Sequence, residues 1–156
     1  MRTTCVALLA AMALLAQPAL ATTPTEGSGV FAFAGPPVPT SPPRTAGGNT
    51  FFSFRAAGTI SSAVTGTFTQ EYTQVLHASG ETNANGTVFC TCSVGGRTGT
   101  VEFRFEGTGA GTTASPFSGQ FVAQNGTVGL ADLHGQGTFS AVGVGGTYTF
   151  SWHFDP

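Results

Sequence analysis

Cys90 and Cys92 are the cysteines that remain once the N-terminal stretch carrying Cys5 is set aside. They lie in the β-prone run TVFCTCSV (Thr87–Val94). Alternate residues of a flat strand share a face, with their Cα atoms near the outer limit for a disulfide, so a bridge there calls for a bend or bulge. The spacing leaves four states open: a local disulfide, two free buried thiols, an intermolecular bond, and metal or redox use. Redox use fits least well, because a working dithiol is usually Cys-x-x-Cys at a helix start. His77, His134 and His153 show no ligand spacing, and a soft-metal site would need His153 to meet the cysteines in space. No metal and no cofactor is therefore expected. The mid-strand charges are Arg55, Glu71, Glu102, Arg104 and Glu106. On a barrel such residues mostly face solvent. Only 8% of the chain is charged, however, so a pair turned inward would matter. Glu71, beside Tyr72, and Arg104 are the candidates for acid–base or orienting groups. No serine stands in a nucleophile-elbow context, and neither a phosphate loop nor a hydrolase carboxylate spacing is present.

Strands must position these groups. TYTFSWHF (Thr147–Phe154) puts Tyr148, Phe150, Trp152 and Phe154 on one parity and Thr149, Ser151 and His153 on the other. A strand with that pattern has one greasy and one wetter face. TGTVEFRFEG (Thr98–Gly107) does the same, with Val101, Phe103 and Phe105 opposed to Glu102, Arg104 and Glu106. Further strands are read at Thr50–Ala56, across Val64–His77 as one bent strand or two, and at Thr87–Val94, Pro116–Gln124, Thr127–Leu133 and Gln136–Val142. Asn83–Gly86, Gly95-Gly96 and Asn125-Gly126 read as turns, since Asn-Gly and Gly-Gly accept the left-handed backbone of tight hairpins. Asn85 and Asn125 also match the N-glycosylation pattern, in contexts that are ordinary turns. No helical periodicity of 10 or more residues follows the N-terminal stretch.

About eight strands joined mostly by hairpins predict an all-β, eight-stranded antiparallel up-and-down barrel, with a two-sheet sandwich as the alternative. Closure removes edges that so uncharged a set of strands could not protect. The ring-bearing positions Tyr72, Phe103, Phe105, Tyr148, Phe150 and Trp152 are then expected to line a ligand pocket inside.

The N-terminus, MRTTCVALLAAMALLAQPALA, has a basic end, a short apolar run and a small-x-small site at Ala19–Ala21. It reads as a signal peptide over residues 1–21, so the protein is expected to be secreted or periplasmic with no stable membrane insertion. Residues 22–48, with six prolines, read as a flexible leader in which Val30–Ala34 could add a strand. The barrel is expected at 49–156. Loss of Arg2 leaves four arginines and no lysine against seven carboxylates, a net charge of about −3. Such a chain cannot build the basic surface that nucleic acid or anionic lipid needs.

GGRTGTVEFRFEGTG (Gly95–Gly109), NGTVGLADLHGQGTF (Asn125–Phe139) and YTFSWHFD (Tyr148–Asp155) resemble the small bacterial DUF3224 family. That family is similar to the allene oxide cyclase-like β-barrels. The shared features are a G-R-x-G turn at Gly96–Gly99, a G-T-x-x-L-x-x-L-x-G-x-G-x-F run ending at Phe139, and a closing aromatic strand. The likeness covers about Thr65–Asp155, and its motifs are turn glycines and packed apolar positions, with Leu130, Leu133 and Phe139 plugging one end. It implies the barrel fold, brings no established catalytic residues, and carries oligomerisation as an expectation. Three functions follow: a barrel binding a small hydrophobic molecule, a cofactor-free cyclase or isomerase working by proximity and packing, or a structural or cell-surface protein with a filled core. A cavity above about 300 Å³ would favour the first two.

Overall fold

The computed structural model describes residues 23–111 and 116–155 of the 156-residue chain. The signal peptide assigned to residues 1–21 lies outside the described residues. Ten strands occur in order: β1 (Thr25–Phe33), β2 (Val38–Pro39), β3 (Arg44–Ala46), β4 (Asn49–Ser62), β5 (Val64–Leu76), β6 (Glu81–Val94), β7 (Arg97–Ala110), β8 (Phe117–Gln124), β9 (Leu133–Val142) and β10 (Gly145–Phe154). A 3-10 turn at Val128–Leu130 precedes β9. Strands β1 and β4 to β10 form a closed antiparallel barrel, because β1 pairs with both β10 and β4. β2 and β3 lie along the first half of β4, the part that β1 does not reach. An edge that would otherwise offer unpaired backbone is thus covered.

The period-2 pattern does what the sequence predicts. In β7, Val101, Phe103 and Phe105 are buried while Arg104 and Glu106 are exposed. In β5, Thr65, Thr67, Thr69, Glu71 and Thr73 all face out. Threonine, β-branched and able to hydrogen-bond water, gives a polar outer face with almost no charge. This is the reverse of the apolar-out alternation of a membrane-spanning barrel. At the β6–β7 turn, Gly95 and Gly96 have φ of +56° and +80°. Both central residues of a type I′ hairpin need that conformation, and glycine adopts it without strain.

The end of the barrel holding this turn, here the lower end, is solid. Leu130 is 0% and Leu133 4% exposed, and both belong to one buried cluster with Val64, Val94, Val101, Phe150 and Trp152. The 3-10 turn is pinned by Thr127, whose N–H donates to the Thr100 carbonyl at 2.9 Å and whose hydroxyl meets that of Thr100 at 2.6 Å.

Four expectations are corrected. The leader is not a loose spacer throughout: Thr25–Phe33 is a barrel stave, held at its end by Phe33 N–H to the Val144 carbonyl at 2.7 Å and Ala34 N–H to the Ala57 carbonyl at 2.8 Å. Its strand is made by two waiting backbone edges rather than by its own composition. Asn83–Gly86 is not a turn but the inside of β6. The chain reverses six residues earlier, at His77–Gly80, where Gly80 (φ +87°) donates to the His77 carbonyl. Gly86 instead faces Tyr72, whose Cβ would lie 2.5 Å from a Cβ placed there. The stretch Thr127–Leu133 is not a strand: Val128–Leu130 form the 3-10 turn and strand begins only at Leu133, the first residue of β9. Leu130 and Leu133 do plug the lower end, but Phe139 sits higher, in the wall of a cavity.

Candidate functional site

Above the solid end the barrel is not filled. Thirteen residues enclose a cavity of about 120 Å³, eight of them phenylalanines. β1 contributes Phe31 and Phe33, β5 Phe68 and Gln70, β7 Phe103 and Phe105, β8 Phe117 and Phe121, β9 Phe139 and β10 Tyr148. At its upper end the half-buried rings of Phe33, Phe117 and Phe139 meet solvent. The rings hold one another edge-on: Phe103 to Phe121 at 5.5 Å and Phe105 to Phe139 at 5.9 Å between centroids, both near perpendicular. Edge-to-face geometry fixes rings without filling the space their faces look onto.

Of the six ring positions expected in the pocket, Phe103, Phe105 and Tyr148 line it. Phe150 and Trp152 lie below, in the solid core, at 0% and 7% exposure. Tyr72 stands above, 6.3 Å from Phe105 and 5.3 Å from Phe54 between centroids. Burial pushes its phenol up to about 12, so Tyr72 keeps its proton well past neutrality. The reading from sequence missed Phe31, Phe33, Phe68, Gln70, Phe117, Phe121 and Phe139. The parity of VFAF and of FTQEY would have placed Phe31, Phe33, Phe68 and Gln70.

The expected catalytic pair does not form. Glu71 and Arg104 both point outward, two strands apart with Thr87 between them. Glu71 pairs with Arg55, whose Nε donates to its carboxylate at 3.1 Å, and both side chains are more than half exposed. An exposed pair of this kind is worth little. Glu102 and Glu106 accept from Asn125 (2.8 Å) and Gln120 (2.7 Å), also on the outer face.

Tyr148 passes over Gly29 of the neighbouring strand β1 to reach the β4–β5 turn. Its hydroxyl accepts from Val64 N–H at 2.8 Å and faces the carbonyls of Ser61 (3.0 Å) and Val64 (3.2 Å). Burial raises its pKa while the Val64 bond pulls it down. The turn contains Ser62 at φ +85°, a conformation a non-glycine residue keeps only when its surroundings hold it. Tyr148→Phe leaves the Val64 N–H unpaired in the core and is expected to lower stability by about 1–3 kcal/mol. A reduced urea midpoint with unchanged slope checks it.

Cys90 and Cys92 are joined in the structure, which corresponds to the local disulfide among the four states left open. Both are buried, at 2% and 5% exposure, and point inward below the cavity. Gly66 makes room for the bridge: a Cβ there would come within 2.8 Å of Cys92 Cα. The bond closes so short a loop that its entropic contribution is small beside that of a long-range bridge. Two histidines do meet, though not the cysteines. His134 and His153 stack at 5.4 Å and converge on Asp155, at 3.0 and 3.5 Å, on the outer face of the lower end. Among the described residues no group of three or more His, Cys, Asp or Glu side chains could hold a metal ion.

No curated protein matches the sequence. Among the solved structures that share its shape, two can be compared with it. One is the crystal structure of a protein of unknown function from the DUF3224 family of Shewanella oneidensis MR-1. It is 19% identical with a TM-score of 0.70, over 85% of this chain and 98% of that one. The other is a β-barrel-like protein of Acinetobacter baumannii AYE, 10% identical with a TM-score of 0.54, over 84% of this chain and 94% of that one. At such identities the likeness speaks for the fold alone. The model of the family described as "Protein of unknown function (DUF3224)" matches residues 27–152, from the first barrel strand to the last, and the chain belongs to that family.

Proposed function

We propose that this protein binds a small apolar molecule inside the barrel. The observation that carries the reading is the cavity of about 120 Å³ with its eight phenylalanines. That volume falls below the roughly 300 Å³ of a pocket for a drug-sized ligand. It is close to the roughly 150 Å³ at which an apolar cavity stays dry and takes up benzene or xenon. The size therefore sets the ligand, or the part of it held inside, at about one six-membered ring or a short alkyl end. Eight strands are also the number at which a barrel interior is just filled or holds one small molecule. The cavity falls short of the roughly 300 Å³ set above for preferring a ligand over a filled core, so the structural protein stays as the alternative reading, and the unfilled apolar space is what favours a ligand. The allene oxide cyclase-like reading loses its acid–base pair to the outer face and keeps only proximity and packing. The buried disulfide supports export to an oxidising compartment, secreted or periplasmic.

Toluene titrated into the mature protein is expected to shift the aromatic proton resonances of the cavity rings saturably and to raise the melting temperature. Val88→Phe grows a ring into the cavity and is expected to abolish both effects while the barrel still folds. Absence of saturable binding by toluene, benzene and xenon would overturn the reading.

A further inference from the structure

Two of the thirteen cavity-lining residues carry polar side-chain atoms, Gln70 and Tyr148. The Tyr148 hydroxyl is committed to the β4–β5 turn. The Gln70 amide makes no hydrogen bond to another described residue. It sits between Ala56 on β4 and Val88 on β6, neither of which offers a polar side chain. Tyr72 follows two residues along β5 on the same inner face, with its Cα about 7 Å from that of Gln70. The Tyr72 hydroxyl too has no hydrogen-bond partner among the described residues, and burial keeps it protonated. Among the described residues Thr82 Oγ1 is the buried side-chain atom left without a partner, so the Gln70 amide and the Tyr72 phenol both touch solvent, and a bound oxygen would take the place of water at them. Ligand pockets commonly have this composition, mostly apolar with a few polar groups that fix orientation.

The geometry points to a ligand that is neutral and carries one carbonyl or hydroxyl oxygen, its apolar body among the phenylalanines and its oxygen held by Gln70, with Tyr72 next along the exit. The inference rests on the binding reading above and adds the ligand's class and orientation. The ligand is neutral because the cavity lining has no acidic or basic side chain to meet a charge, Tyr148 being held as the neutral phenol: Arg55, Glu71 and Arg104 all face solvent. An unpaired carboxylate would lose its hydration there with nothing to replace it. Both side chains can donate to an oxygen, and the amide can also accept from a hydroxyl.

Toluene, benzaldehyde and benzoate share one ring and differ in the head group. The chain has no lysine, so its side chains offer the aldehyde no primary amine. Dissociation constants for the three are to be measured on the full mature protein and on the Gln70→Leu and Tyr72→Phe variants. The expected result is that Gln70→Leu weakens benzaldehyde relative to toluene by roughly 3- to 10-fold, the worth of one hydrogen bond, while toluene binding persists. Tyr72→Phe is expected to act in the same direction with a smaller ratio, and benzoate to bind most weakly throughout. Gln70→Met, closer in shape, replaces Leu if that variant loses cooperative unfolding. Toluene binding with a benzaldehyde ratio unchanged in the Gln70 variant would overturn this inference and leave the cavity reading standing. Benzoate binding as tightly as benzaldehyde would also overturn it. Failure of every probe to bind the unaltered protein would remove both.

Discussion

Phe150→Ala lowers the melting temperature by roughly 10–20 °C, the equivalent of about 3–5 kcal/mol for a domain of this size. The ring is 0% exposed. It stands edge-on to Phe103 at 5.7 Å, tilted on Phe121 at 5.6 Å and stacked on Trp152 at 5.3 Å, between centroids. Truncation therefore breaks three aromatic contacts at once and opens a void beneath the existing cavity. The upper part of the quoted range applies because the surroundings cannot collapse. β10 is hydrogen-bonded to β9 on one side and β1 on the other, and a closed ring of staves resists closing inward over a gap. Phe89 supplies the comparison. It points outward and is 42% exposed, so Phe89→Ala is expected to lose less than about 1 kcal/mol. Thermal melts of the two variants read by near-ultraviolet circular dichroism check the contrast. Equal losses would show that inward parity does not govern stability in this barrel.

That contrast also marks what the sequence made legible. Parity alone turned Tyr148, Phe150, Trp152, Val101, Phe103 and Phe105 inward, and the structure puts them there. The Gly95-Gly96 turn was equally plain, because few other dipeptides accept left-handed backbone at both positions. Parity tells which face a residue occupies, not its height along the barrel axis. Phe103 and Phe150 share a face and touch, yet only Phe103 lines the cavity. Height depends on register across every strand pair, which no single run encodes. The first strand was obscured for another reason. Thr25–Phe33 lies beside six prolines and has little apolar content beyond Val30, Phe31 and Phe33, so composition spoke for a spacer. What makes it a strand is the pair of open edges on β10 and β4. Asn85-Gly86 misled because turn chemistry is local, whereas the need for an empty position opposite Tyr72 is tertiary. The outward direction of Arg104, by contrast, was already written in FRF: a residue between two inward phenylalanines faces out. Only the scarcity of charge made an inward pair look attractive.

Gly137→Val is expected to cost about 3 kcal/mol, a large share of the roughly 5–15 kcal/mol by which natural domains are stable. Gly137 lies in β9 directly opposite Phe150 on β10 and Phe121 on β8. Each neighbouring strand thus sends a large ring into the lumen beside it, and the glycine leaves the lane they occupy. A Cβ at this position would run into the Thr149 carbonyl and the end of the Phe121 ring, with Phe121 Cε1 at 2.8 Å. The ring can swing, but the carbonyl belongs to the β9–β10 ladder and cannot move without breaking that pairing. Small residues set against large ones are how a narrow barrel accommodates rings on adjacent staves. The two obstacles can be separated by a double-mutant cycle of Gly137→Ala and Phe121→Ala. Removing the ring is expected to recover part of the alanine penalty, a coupling of about 0.5–3 kcal/mol. The remainder reports the clash with backbone, and denaturant midpoints of the four proteins measure both. A coupling indistinguishable from zero would mean that the ring is not what keeps position 137 bare.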